Sequence, residues 1–167
     1  PAVGMRSGDS GPIDTEVGNP SAVTLSGADR ILFVAGAGVS GTVRPGQRNV
    51  QLLNVAATNA YAVPQTLTSV TFSDATAGTG IMLQLDSEIR ALSLALDRDG
   101  DQTWSAADTL LGRGVFAGGR ASFLNLGLSL PPGEPQHLFL LADVSGVFAA
   151  DGDELAATID SPEDVSL

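Results

Sequence analysis

The chain has 167 residues, 43% of them hydrophobic, a net charge of −11 and no cysteine. That is enough apolar material for one domain with its own core, and the missing thiols exclude disulfides, thiolate zinc sites and cysteine nucleophiles. Every basic residue is an arginine, so there is no phosphate-loop lysine or Schiff-base amine, and the acidic balance argues against nucleic acid and acidic membranes as partners.

Residues 1–21 carry Gly4, Gly8, Gly11, Pro12, Gly18 and Pro20 with little periodicity. They read as an irregular arm or linker, and residues 22–167 as the folded domain. Ile31-Leu32-Phe33-Val34-Ala35 is a short strand, and Pro45-Gly46 marks a turn. Val50, Leu52, Leu53 and Val55 belong to the next strand. In Leu67-Thr68-Ser69-Val70-Thr71-Phe72, the residues Thr68, Val70 and Phe72 share a face. Ile81, Leu83 and Leu85 alternate as a further strand, as do Leu92, Leu94 and Leu96. Leu124, Leu126, Leu128 and Leu130 form one face of a strand that Pro131-Pro132-Gly133 ends. Residues 137–144 are apolar enough for a central strand, and Leu155, Ala157 and Ile159 make the last one.

No long helical period survives, and about nine short strands separated by turns give an all-β sandwich. No apolar run is long enough to cross a bilayer. The chain starts without a methionine or a signal segment, so it reads as processed or trimmed.

The sharpest chemical signal is Asp97-Arg98-Asp99-Gly100-Asp101-Gln102-Thr103-Trp104-Ser105-Ala106-Ala107-Asp108. Carboxylates fall at positions 1, 3, 5 and 12 of a twelve-residue calcium loop. Asp97, Asp99, Asp101 and Asp108 would supply side-chain oxygens, Thr103 its carbonyl, and Ser105 a direct or water-mediated ligand. Clustered carboxylates repel one another unless a cation lies among them, and an oxygen-only donor set suits Ca2+. Gln102 occupies the position where a glycine usually makes the sharp turn, so it is the strained point. The flanks alternate or are glycine-rich, which places the loop between strands rather than helices. An acidic turn without an ion is the competing reading. Asp151 and Asp153 offer a second, weaker acidic place.

Leu67-Thr68-Ser69-Val70-Thr71-Phe72, Leu94-Ala95-Leu96 with the loop behind it, and Asp108-Thr109-Leu110-Leu111-Gly112-Arg113-Gly114-Val115-Phe116 carry a resemblance. Ala121-Ser122-Phe123, Leu130-Pro131-Pro132-Gly133-Glu134 and His137-Leu138-Phe139-Leu140-Leu141-Ala142-Asp143-Val144 extend it. From about residue 44 to 160 the chain resembles bacterial extracellular β-sandwich modules, and its loop resembles the calcium loops of dockerins. The resemblance implies an immunoglobulin-like sandwich with an aspartate-rich, dockerin-like calcium loop between strands. It also implies a non-catalytic role in a large secreted or cell-surface protein.

His137 is the only histidine and stands at the start of an apolar strand, without a glycine-flanked serine to serve. The expectation is therefore not an enzyme. Two roles remain. One is a calcium-stabilised structural or adhesive module that meets neighbouring modules or itself, with the N-terminal arm adding as a strand. The other is a carbohydrate-binding module in which Trp104 or Tyr61 stacks on a sugar. Trp104, at loop position 8, is also placed to fold onto the domain as an anchor. Calcium at extracellular concentration would fill a modest loop, which favours an extracellular or surface location.

Overall fold

Period-two alternation of aliphatic residues produces two antiparallel sheets that share one core. The computed structural model describes residues 15–17 and 21–23 as backbone strands, and residues 29–36 and 41–167 in full. Much of the arm expected over residues 1–21 lies outside the described residues. Across its end, β1 (Thr15–Val17) pairs antiparallel with β2 (Ser21–Val23).

β3 (Ile31–Ala35), β4 (Val50–Asn59), β6 (Ile89–Leu96), β7 (Thr109–Gly114) and β9 (Pro135–Val144) form a five-stranded sheet. Its order is β3-β4-β9-β6-β7, so the apolar segment expected to be central is central. The second sheet is built on β5 (Gln65–Asp74). β8 (Arg120–Leu130) pairs along one edge of β5, while β10 (Ala157–Thr158) and β11 (Val165–Ser166) pair along the other.

Leu92, Leu94 and Leu96 of β6 stand beside Ala142, Leu140 and Leu138 of β9. They pack with Leu67, Val70, Phe72, Phe123, Leu128 and Leu130 of the other sheet in one buried cluster. Phe72 and Phe123 meet edge to face with ring centroids 5.8 Å apart. The Phe123 ring also fills the space above Gly112 and Gly114 of β7; a Cβ at Gly112 would come within 3.2 Å of it. Asn59 is fully buried at the end of β4. Its amide donates to Leu130 O at 2.7 Å and Val63 O at 3.0 Å, and its Oδ1 accepts Tyr61 N–H at 2.8 Å.

Two local expectations are corrected. The strand face expected at Ile81, Leu83 and Leu85 is instead a short helix, α1 (Met82–Glu88). Gln84 Oε1 accepts the N–H of Ile81 at 2.9 Å, which closes the first turn. Ile81 and Leu83 point to solvent, while Asp86 and Glu88 are buried. The leucine face of β8 is also broken. Asn125 and Gly127 take φ of 56° and 59°, and the register with β5 shifts between Leu67 and Ser69. This bulge reverses the alternation, so Leu124 is 65% exposed while Leu128 and Leu130 stay inside.

Candidate metal centre

The acidic loop is the connection of the β6–β7 hairpin, whose last paired residues are Leu96 and Thr109. Asp97 is the first residue past β6, and its N–H donates to His137 O of β9 at 2.9 Å. One carboxylate oxygen of Asp97 accepts Gly100 N–H at 2.7 Å and the other accepts Gln102 N–H at 3.0 Å. The backbone therefore curls around the Asp97 side chain. That curl needs left-handed conformations at Gly100, with φ of 77°, and at Gln102, with φ of 59°. Gly100 adopts one freely; Gln102 does so at a cost of about 1–2 kcal/mol.

Asp108 closes the loop from its far end. Its two carboxylate oxygens accept Arg98 N–H at 2.9 Å and Ser105 N–H at 2.7 Å. Ser105 Oγ accepts Ala107 N–H at 3.0 Å. Asp101 Oδ1 accepts Thr103 N–H at 2.7 Å. These bonds fix the first and last carboxylates of the loop, although the segment between them is exposed.

Among the described residues, Asp97, Asp99 and Asp108 each offer a carboxylate oxygen, and the three oxygens lie within 4.8 Å of one another. This acidic triad can hold a metal ion: three anionic oxygens converge, none is replaced by nitrogen or sulfur, and a hard cation fits that set. Asp101 stands outside the triad, and Thr103 is exposed beside it. The Asp99 carboxyl is held above the ordinary aspartate value. Loss of hydration contributes most, and the negative charges of Asp101, Asp108 and Asp97 add to it, against an opposing hydrogen bond from the Asp101 backbone.

Comparisons with protein-family models, curated proteins and solved structures give no match.

Trp104 is half-buried and packs with Ala95, Phe139 and Leu141 on the outer face of the five-stranded sheet, opposite the main core. The loop is thus held at three points: Asp97 on β9, Asp108 across the loop, and Trp104 on the sheet. Tyr61 follows the end of β4 and shares no recess with the loop. It lines an open recess of about 410 Å³ together with Arg30, Phe33 and Ile159. His137 is half-buried in β9 and pairs with Ala56 of β4. Among the described residues no helix is long and apolar enough to cross a membrane.

The buried carboxylates of α1 and its end gave no signal in the sequence. Asp86 accepts the Gly119 N–H on both oxygens, at 3.1 and 3.0 Å, across the β7–β8 connection. Read as strand alternation, Asp86 and Glu88 fall on the solvent side. Only the helical turn brings them inward.

Proposed function

We propose that the chain is a non-catalytic, calcium-stabilised structural or adhesive module of a secreted or cell-surface protein, built as an immunoglobulin-like sandwich. The observation that carries this reading is the convergence of Asp97, Asp99 and Asp108 within 4.8 Å at the tip of a hairpin anchored to the central strand. An ion there neutralises charges that otherwise repel, and it ties the two ends of a loop whose middle is exposed. Calcium is favoured over magnesium because an exposed loop of carboxylates and carbonyls suits six to eight oxygens at about 2.3–2.6 Å better than a rigid octahedron. Trp104 supports the structural role more than a sugar-stacking one, since its ring is already engaged with Phe139 and Leu141. β3 and β7 end the five-stranded sheet, and a strand from a neighbouring copy would add at such an edge.

The test is thermal melting with calcium and with chelator, alongside calorimetric titration of the stripped protein. Binding to the folded state alone raises stability by about 2.7 kcal/mol at a hundredfold excess over Kd, so the melting temperature is expected to rise with calcium. An unchanged melting temperature with no calcium uptake overturns the reading. Light scattering with and without residues 1–21 tests strand addition, which equal monomeric masses at high concentration would exclude.

A further inference from the structure

β3 ends the five-stranded sheet, and its second edge is unpaired among the described residues. Hydrogen-bonded pairs alternate with non-bonded ones along an antiparallel ladder. Arg30 O accepts Ala60 N–H at 2.9 Å, and Gly36 N–H donates to Asn54 O at 2.7 Å. Leu32 and Val34 therefore turn their backbone groups to β4, while Ile31, Phe33 and Ala35 turn theirs to the open edge.

The side chains beside that edge are open too. Ile31 and Phe33 pack on the core from β3, yet both are only half-buried. They line the recess of about 410 Å³, together with Ile159, Val165 and Leu167. The second sheet runs out here, because β10 and β11 are two residues each. The other edge of the five-stranded sheet differs: the Phe123 ring of β8 already lies over Gly112 and Gly114 of β7. A strand added at β3 covers open apolar surface, whereas the inner face of β7 is already covered.

The chain carries a strand pair that needs such an edge. β1 and β2 are three residues each and pair with one another, in a sheet separate from the two of the sandwich. A two-stranded hairpin this short holds poorly by itself in water. Residues opposite each other in an antiparallel pair share a face. The register thus sets Thr15, Val17, Ser21 and Val23 on one side and Glu16 with Ala22 on the other. The side with two valines suits an apolar recess, and the side with Glu16 suits water. Asp29 and Arg30, just ahead of β3, also line the recess, so the chain leading from the hairpin reaches β3 at the mouth of the recess. Two copies related by a twofold axis through that mouth can exchange hairpins.

We propose that the open edge of β3 and the recess beside it take the β1–β2 hairpin of a second copy, each copy giving its hairpin to the other. This rests on the strand-addition reading above and names its donor and its acceptor. The hairpin would extend the five-stranded sheet and cover Ile31 and Phe33.

Light scattering of the full chain at rising concentration is expected to show a dimer. Ala35→Pro deletes an edge N–H that β4 does not use, and is expected to weaken dimerisation at least tenfold. Should that variant lose its native near-ultraviolet circular dichroism, spin labels take its place. The chain has no cysteine, so Ala22→Cys and Val34→Cys each accept one nitroxide. A mixture of the two singly labelled chains is expected to give a short distance between labels. A doubly labelled chain diluted in excess unlabelled protein is expected to lose it. A monomer at every concentration overturns the proposal, as does dimerisation undiminished in folded Ala35→Pro. A short distance that survives dilution overturns it as well, because the hairpin then lies on its own β3. Dimerisation that survives Ala35→Pro but not removal of residues 1–21 overturns this seat while strand addition stands at another edge. None of these results bears on the calcium reading, which is decided by melting with calcium and with chelator.

Discussion

The N–H of Asp97 donates to the carbonyl of His137 at 2.9 Å, fixing the first carboxylate of the acidic loop to the central strand of the five-stranded sheet. Order in the loop is therefore inherited from β9, whose flanking residues Leu138 and Phe139 are among the most buried in the protein. A cation bound by Asp97 would be coupled through one hydrogen bond to the core, and its loss would be felt in global melting.

Asp108→Ala removes a triad carboxylate and the acceptor of two backbone N–H groups, Arg98 and Ser105. Calcium affinity is expected to collapse, and the calcium-free protein to lose about 1–3 kcal/mol from the broken charged hydrogen bonds. Asp99→Asn keeps an oxygen in place and is expected to weaken binding only modestly. Calorimetry for affinity and urea unfolding for stability separate the two effects.

Gln102→Gly relieves a left-handed residue with φ of 59°. The relief of about 1–2 kcal/mol exceeds the extra backbone entropy that glycine loses on folding, about 0.5–1 kcal/mol. A net gain of about 0.5–1 kcal/mol is expected, visible as a higher urea midpoint with chelator present.

Trp104→Ala uncovers Ala95, Phe139 and Leu141 on the outer face of the sheet. Because the ring is half-buried, the expected cost is about 1–3 kcal/mol, below that of a fully buried tryptophan. Trp104 is the only tryptophan in the chain, so its emission reports on the loop directly. A shift in its fluorescence on adding calcium to the parent is expected, and its absence in Asp108→Ala.

Acid weakens calcium binding in a definite direction. The Asp99 carboxyl is raised above 3.8, so the folded calcium-free protein holds that proton more tightly than the unfolded chain does. Ionised Asp99 therefore works against the calcium-free fold at neutral pH, and this penalty is relieved as pH falls through the raised value. Calcium binds the ionised form and competes with the proton. Apparent affinity is expected to fall as pH drops through the window above 3.8, with protons released on binding; calorimetry in buffers of different ionisation heat measures both.

Asn59→Ala strips the partners from Leu130 O, Val63 O and Tyr61 N–H in a site that is 0% exposed. A loss of about 2–4 kcal/mol is expected, from unsatisfied polar groups and a small cavity together. The melting shift produced by calcium is expected to stay as in the parent, because the hydrogen bonds of Asn59 run to Leu130, Val63 and Tyr61 and none runs to the loop.

Much of the β-architecture was legible because alternation is a local signal. Leu92, Leu94 and Leu96 alternate in the sequence and line the core in the structure. Residues 137–144 are apolar on both faces, which marks a strand covered on both, and β9 is the middle strand. The spacing of Asp97, Asp99 and Asp108 likewise placed three carboxylates close together before any fold was known. Asp101 was drawn into the same set by spacing, yet its carboxylate turns to Thr103 N–H. Rotamer choice within a loop depends on local hydrogen bonds that a spacing rule does not weigh.

The sequence by itself determined that the chain forms β-sheets around an aliphatic core and carries one dense acidic loop between strands. Both follow from short-range order, period-two burial in one case and the separation of like residues in the other. Only the tertiary structure decided the rest. It made a helix of Met82–Glu88 by seating Asp86 on the Gly119 N–H from a distant turn. It reversed the face of β8 by a bulge at Asn125 and Gly127. Each of these depends on contacts between residues far apart in the chain, whose energies exceed the weak local preferences that a sequence pattern reports.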